Sequence, residues 1–475
     1  MERTGSKVSG LTPVVLHGGG HVYHGQIDGH AVLQLARDVD VAEVLRRERL
    51  QLVRPLSAAA SLYLVAAESG EDGLQIASRL AAAAGVVEAV PDLYTPRVRH
   101  AIEIPPNDPD YRGQWYFKKV VIEKAWRLSS GDADTKIAVV DDGCDMQHED
   151  LKNKFKGGID LVDQDDDPSY DPDAKNNAHG TACAGLVAAE TDNGIGMAGT
   201  CPECSLLCVR LLPGSSDRGV PMSADIGAFD FAMKQGAAVV SNSWGFAESQ
   251  PAPAPLRALL EKLYDDGRDG RGTLVVFAAG NENREIEANE LAAVRGVVTV
   301  GAINNFDEAA PFSNSGASLS VTAPAGTYTT DISGSDGMDK GDYSSSFGGT
   351  SSACPVVAGI AGLILSASKD ITAADARDLL QTTTRSAPFA EPDSAGHDKT
   401  YGYGIVDPAA ALRKALGLPP EPSTPADAGV SDSSKDSKEK SGGCAVSSDG
   451  GGSAALWMIG LGLWVWTRRQ RHLRH

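Results

Sequence analysis

The stretch FGGTSSACPVVAGIAGLIL, Phe347 to Leu365, reads as a glycine turn, a Thr-Ser-Ser step and an apolar helix with a proline in its first turn. Proline is tolerated there because the first helical N–H groups have no intrahelical partner. The Ser351 hydroxyl therefore falls on a tight bend, at the positive end of a helix dipole. Two readings compete. One is a serine N-cap, a residue that helix starts favour; the other is a nucleophile aimed at an electrophile. The company that Ser351 keeps decides between them.

Around this stretch, from 107 to 417, short β-rich runs alternate with helical ones. Lys136 to Val140, Ser205 to Leu211, Ala237 to Ser241, Thr273 to Ala279 and Gly296 to Val300 read as strands. Gly180 to Glu190, Ala224 to Gln235 and Val356 to Ser366 read as helices. Such alternation predicts an α/β fold, a doubly wound and mostly parallel sheet covered on both faces. Ligands of such sheets gather at the carboxyl ends of the strands. There the chain supplies four polar residues. KIAVV runs into Asp141-Asp142-Gly143, His179-Gly180-Thr181 opens a small-residue helix, TLVVFAAG ends in Asn281, and Gly349-Thr350-Ser351 precedes the last helix. Singly, these read as a turn, a cap, a loop residue and an N-cap. Jointly they are a base-orienting carboxylate, an imidazole, an oxyanion donor and a hydroxyl nucleophile, the set that acyl transfer needs.

The chain has 475 residues, 42% of them hydrophobic, enough for several domains with a sizeable core. Its 43 basic and 63 acidic residues leave a net charge of −20, which excludes a general nucleic-acid binder. Seven cysteines, an odd number, leave at least one unpaired. Cys201-Pro-Glu-Cys204, with Cys208 beyond, reads as a local disulfide or plain structural thiols. No second CxxC completes a four-thiolate zinc site.

Residues 1–100 read as a small α+β unit in βαββαβ order, with strands near Ala31–Leu35, Ser61–Ala67 and Val86–Val90 and helices near Val41–Arg49 and Gly73–Ala84. Residues 101–106 are a proline-punctuated linker, and no secretory signal is visible at the N-terminus. Residues 418–452 are a Pro, Ser and charge-rich spacer without apolar periodicity. In 453–475, the apolar run Ala454 to Trp466 precedes TRRQRHLRH, which predicts a short transmembrane segment with a basic tail.

The motifs VVDDG, HGTACAG, SNSWG, AAGNEN and GGTSSACP, in the order Asp, His, Ser, resemble the subtilisin-like serine proteases. NDPDYRGQWYF and YGYGIVDPAAAL resemble that family's domain edges. The resemblance implies a serine endopeptidase that hydrolyses polypeptides through an acyl-enzyme, with Asp141, His179 and Ser351 as triad and Asn281 at the oxyanion. It implies that Ser243, Trp244 and Gly245 bind substrate as an added strand. DDG and HGTACAG are closer to the kexin-like branch, in which Asp142 would face the residue before the cleaved one and favour a basic side chain. Glu248, Glu282, Glu285 and Glu287 add carboxylates to that expectation. The branch's companion β-domain is missing.

The family also implies structural calcium, Ca2+, held here by Asp108, Asp150 and Asn193 with carbonyls of Glu190, Ile195 and Met197. The acidic run Asp163 to Asp167 reads as a solvated loop. The N-terminal unit resembles the family's inhibitory propeptide, a ferredoxin-like domain released by cleavage between Arg97 and Asn107, so the protein would be a zymogen. Gly443-Cys444, the spacer, the apolar helix and the arginines resemble the sorting tails of myxobacterial surface proteins. The implied location is extracellular or cell-surface, anchored at the C-terminus. Two further readings of the same residues are a catalytically silent module that grips extended peptides, and acyl transfer to an amine.

Overall fold

Between 136 and 324, mostly apolar β-branched runs form strands that pair in parallel, and all but the edge strand Phe155–Asp160 are buried along their whole length or nearly so. In the computed structural model the described residues are 2–3, 12–18, 21–57, 59–94, 102–173, 177–214, 219–246 and 248–421. The strands are β1 (Lys136–Asp141), β2 (Phe155–Asp160), β3 (Ser205–Arg210), β4 (Val239–Asn242), β5 (Leu274–Ala278), β6 (Val298–Ile303) and β7 (Val321–Pro324). They lie in the order β7-β6-β5-β4-β1-β3-β2. Every pair is parallel. From β1 the chain goes to β2 at the sheet edge, returns to β3 between the two, then crosses to the other side of β1. The topological switch point, where open α/β sheets place ligands, is therefore at the carboxyl end of β1. Asp141 is the last residue of that strand.

Alternation along β1 divides the core. Ile137 and Val139 pack on one face with α1 (His179–Ala188) and with α4 (Thr350–Ala367). Ala138 and Val140 pack on the other face with α2 (Met222–Lys234) and α3 (Ala254–Gly270). Both α1 and α4 are apolar nearly all round, as helices enclosed by a core must be. Of residues 350–365, all but Ser351 are buried. Among the described residues α4 is also the helix long and apolar enough to cross a membrane, but 83% of it is buried inside the protein, so it is a core helix.

One expected boundary differs, and two strands were not expected. The helix expected from Val356 begins at Thr350, so Pro355 lies inside it and not in its first turn. The unexpected strands are the short Val321–Pro324 and Phe155–Asp160, whose sequence FKGGID carries two glycines and little β-branched character. Cys201 and Cys204 form a disulfide, while Cys144, Cys183, Cys208 and Cys354 are buried free thiols.

Within the N-terminal unit, residues 21–94 follow the expected order, with strands His21–Leu35, Leu50–Ser57, Leu62–Ala67 and Val86–Tyr94 and helices Val41–Arg47 and Gly73–Leu80, but two strands that were not expected, Glu2–Arg3 and Thr12–Gly18, precede them and extend the sheet. Leu62–Ala67 lies between Leu50–Ser57 and His21–Leu35, and Val86–Tyr94 pairs with the far side of His21–Leu35. All three pairings are antiparallel, a ferredoxin-like arrangement. Asp72 and Gln75 close a capping box at the second helix. The spacer beyond residue 421, Cys444 and the apolar run Ala454 to Trp466 lie outside the described residues.

The close contact of α4 with α1 makes a testable demand. A Cβ on Gly359 would lie 2.5 Å from Thr200 Cβ and 3.0 Å from the Val187 carbonyl oxygen. Alanine in a helix gains about 0.8–1.0 kcal/mol over glycine, but overpacking costs about 1–3 kcal/mol. Gly359→Ala should therefore be destabilising overall in urea unfolding of a Ser351→Ala background; a net gain in stability would contradict this packing.

Candidate active site

His179 is the first residue of α1, and the start of that helix is held by a carboxylate. The two Asp142 oxygens accept the Gly180 N–H (2.7 Å) and the His179 N–H (3.3 Å), neutralising helix-terminal donors that have no intrahelical acceptor. The helix can approach this closely only because residue 180 is glycine. A Cβ there would stand 2.1 Å from the Gly143 carbonyl oxygen. The result is a 2.8 Å contact between His179 Nδ1 and Asp141 Oδ1. Asp141 is 1% exposed and its Oδ1 also accepts the Asp142 N–H at 2.9 Å, while Oδ2 is buried without a hydrogen-bond partner. Burial works against an imidazolium at His179, but the adjacent Asp141 carboxylate outweighs it and lifts the imidazole above its ordinary range.

Ser351 is the second residue of α4, and Gly349, with φ 72°, is the N-cap. The serine is therefore not the cap. Its N–H is one of the donors that a helix start leaves without an intrahelical partner. Its carbonyl is also free, because the residue four positions on is Pro355, which has no N–H to donate. Ser243 Oγ and Cys183 Sγ both turn to that carbonyl, at 3.0 and 3.8 Å. The Ser351 hydroxyl itself donates to the Ser243 carbonyl oxygen at 3.1 Å. Cys183 Sγ is also 3.9 Å from His179 Nδ1, so one sulfur touches both the imidazole and the serine residue. The Phe347 ring meets the His179 ring edge-on, at 5.1 Å between centroids.

Asn281 follows β5 and is exposed. Its Oδ1 accepts the Thr350 N–H (2.8 Å) and the Thr350 hydroxyl (3.1 Å), which orients the amide next to Ser351. Ser243, Trp244 and Gly245 line a cavity of about 190 Å³ together with Ala279, Asn281, Glu282 and Ser351. Trp244 is anchored inward, its indole N–H donating to the Val140 carbonyl oxygen at 2.9 Å and its ring standing edge-on to Phe277. Glu282 is held at the cavity by Asn314 Nδ2, at 2.6 Å.

The structure gives Asp142 a task other than the one the resemblance implied. It is 5% exposed, with both oxygens engaged by the start of α1. Burial, with the Asp141 charge beside it, pushes its carboxyl up. Cys183 and Phe347 were missed in the sequence, the one helix-internal and the other apolar by pattern, and Thr350 was read only as part of the turn before the helix; only the backbone path brings them to the site.

Asp108, Asp150 and Asn193 meet elsewhere on the domain. Asp108 accepts the N–H groups of Asp192 (2.8 Å) and Asn193 (3.2 Å). Asp150 accepts Asn193 Nδ2 (2.7 Å), the Met197 N–H (2.9 Å) and the Tyr343 hydroxyl (3.2 Å). Asn193 Oδ1 takes the Ile195 N–H at 2.8 Å, and the Glu190 N–H donates to the Asp150 carbonyl oxygen at 2.8 Å. Both carboxylates are essentially buried, and none of these partners is cationic. Burial pushes Asp150 up to about 7 and raises Asp108 as well. Two desolvated carboxylates joined through Asn193, by its N–H and its side-chain amide, are hard oxygen donors of the kind a divalent cation takes.

Residues 132–404 match the Subtilase family model. The chain is 31% identical over 433 residues to a "Calcium-dependent protease" of Trichormus variabilis, covering 80% of this chain and 62% of that protein. It is 34% identical over 283 residues to thermitase of Thermoactinomyces vulgaris, covering 58% of this chain and 91% of the relative. A protease structure from Pseudoalteromonas arctica superimposes with a TM-score of 0.56 at 28% identity, over 65% of this chain and 99% of that one. The chain belongs to the subtilase family. It spans about 62% of the length of the calcium-dependent protease relative.

The Asp141–His179 geometry has a direct readout. In a Ser351→Ala chain the NMR titration midpoint of His179 should lie above the ordinary value of about 6.5. Asp141→Asn should lower it, because the carboxylate that chiefly offsets the desolvation of the imidazolium is then gone. A midpoint unmoved by Asp141→Asn would contradict the contact.

Proposed function

We propose that the chain is a serine endopeptidase, made as a zymogen and stabilised by calcium. The observation that carries this reading is the 2.8 Å contact of His179 with Asp141 at the sheet's switch point, with Ser351 one sulfur atom away. Ser351 Oγ leaves the Ser243 carbonyl, gives its proton to His179 Nε2 and attacks the scissile carbonyl. Asp141 holds the proton on Nδ1 and stabilises the imidazolium. The developing oxyanion lies between the Asn281 amide and the Ser351 N–H, at the positive end of α4. His179 then protonates the leaving amine, and water resolves the acyl-enzyme by the same path reversed. The extended segment Ser243–Gly245, just after β4, receives the substrate backbone.

Ser351→Ala should abolish labelling by a serine-directed phosphonate and all peptide hydrolysis. Asn281→Ala should retain labelling but lower kcat by about 10²–10³, the usual loss for one oxyanion donor. Product masses showing amine adducts in place of hydrolysis would favour acyl transfer, and an unlabelled native chain would favour a silent peptide-binding module. Preference for basic residues near the cleaved bond, the kexin-like trait, rests on Glu282 at the cavity, since Asp142 is engaged in the helix start. Equal cleavage after leucine and arginine in a peptide library would remove it.

The calcium reading is supported by the uncompensated buried pair Asp108 and Asp150 and by the relative's name. Calcium would be held by these carboxylates with Asn193 and the carbonyls of Glu190, Ile195 and Met197, and its role would be to tie the loop to the domain. Metal-free, Asp150 with its raised pKa contributes stability that is full below about pH 3.8 and lost as pH rises through about 7. Calcium needs the ionised form. Its stabilisation, about 2.7 kcal/mol at 100 times Kd, should therefore be larger at about pH 8 than at about pH 6 when melting is followed with and without EGTA. Asp150→Asn should remove most of that difference.

The N-terminal unit is proposed as the inhibitor of its own enzyme. It exposes Leu52, Val53, Val87, Val90 and Tyr94, apolar surface suited to a protein contact. N-terminal sequencing of active protein should find a start between Arg97 and Asn107; an intact N-terminus on fully active protein would make the unit a permanent accessory domain. Export is supported by the halolysin-like extracellular relative of Natrialba magadii. The proposed membrane anchor and processing at Cys444 would be tested by fractionation of cells carrying the chain with and without residues 422–475.

A further inference from the structure

We propose that Cys144 and Cys208 are a latent second disulfide, which a small-molecule disulfide oxidant closes and which locks the turn after Asp141 and Asp142 onto β3. Both are buried free thiols, and the mechanism uses neither. Along β3, Leu206 and Cys208 face the core that encloses α1 and α4, while Leu207 and Val209 face the other. Cys144 enters the same core from the turn after β1. That turn is made at Gly143, with φ 104°, where a Cβ would stand 2.9 Å from the Ser169 carbonyl oxygen. Cys144 therefore runs beside Ser169, paired with it in parallel.

The two cysteines meet at one acceptor. The Cys144 N–H and the Cys208 thiol both donate to the Pro168 carbonyl oxygen, at 3.2 and 3.3 Å. Pro168 settles there because β2 offers it Gly158, whose Cβ would lie 2.3 Å from Pro168 Cγ. Burial first, and then the adjacent Cys208 thiol, push the Cys144 thiol well above its ordinary range. A cystine sets its Cα atoms about 4.4–6.8 Å apart, a span that suits two residues sharing one hydrogen-bond acceptor. Closing it sacrifices little. Cys208 leaves the Pro168 carbonyl, which keeps the Cys144 N–H, and Cys144 gives up a 3.9 Å contact with the Gly180 carbonyl oxygen.

Pro168 is buried, but Asp163 to Asp167 just before it are exposed, so displacement of this loop opens the pair to an oxidant. With glutathione disulfide, one cysteine thiolate attacks a glutathione sulfur and releases one glutathione. The second thiolate attacks the mixed disulfide and releases the other. Two cysteine sulfurs are oxidised, glutathione disulfide is reduced by two electrons, and the two thiol protons end on the glutathiones. The new bond closes the chain from 144 to 208, which carries β2, the acidic loop and α1. Cys201–Cys204, with a sequence separation of 3, constrains far less, because closure gains most across a long loop.

The experiment uses the full Ser351→Ala chain in excess calcium, incubated with glutathione disulfide a few degrees below its melting midpoint, where loops open before the domain unfolds. After alkylation in denaturant and proteolysis, mass spectrometry should find the Cys144 and Cys208 peptides joined, two hydrogens lighter than the separate thiols. Recovery of the two as alkylated thiols, as glutathione adducts or paired with other cysteines would overturn the disulfide. This readout needs no cysteine variant and no peptidase activity. The oxidised chain should melt at least about 4 °C above the untreated one, the low end of what a native disulfide gives a domain of this size. Cys208→Ala, treated in the same way, should show no such rise. A rise of equal size in Cys208→Ala, or joined peptides without any rise in the Ser351→Ala chain, would overturn the lock.

Discussion

The seating of the first turn of α1 is the constraint on which the rest of the site depends. Asp142 receives the His179 and Gly180 N–H groups, and Gly180 has no Cβ to strike the Gly143 carbonyl. A carboxylate at a helix start is favourable by itself, but here its value is positional. It draws the helix onto the end of β1 until the imidazole reaches Asp141. The same two consecutive aspartates thus divide the work, one holding the helix and the other holding the side chain that the helix carries.

A second device acts at the start of α4. Pro355 removes one helix hydrogen bond and so frees the Ser351 carbonyl, which Ser243 and Cys183 then occupy. The missing bond ties α4 to the strand edge after β4 and to α1 at the point where the serine must be placed. A proline that reads in isolation as the opening of a helix therefore works as a joint within one. The dense packing of α1 against α4, sealed by small residues, leaves little freedom for the serine and imidazole to drift apart.

The α/β class and the motifs were legible in the sequence because strand-end polar residues interrupt otherwise apolar runs. Asp141, His179, Asn281 and Ser351 all stand at such breaks. The βαββαβ order of residues 21–94 was legible because alternation marks its elements, whereas the strand Thr12–Gly18 before it was not expected. FKGGID was not, because a strand with two glycines is carried by its neighbours β3 and the core rather than by its own propensity. The start of α4 was misplaced by six residues because local rules put proline in a first turn, whereas buried packing sustains the helix across it.

By itself the sequence determined which elements exist and which chemical groups are available, since periodicity and turn chemistry are local properties. Only the tertiary structure decided what those groups do to one another. It assigned Asp142 to a helix terminus, made Gly349 and not Ser351 the N-cap, and set a thiol between imidazole and serine. Each of these outcomes depends on two backbone segments, distant along the chain, approaching to within a hydrogen bond, and no local pattern encodes that distance.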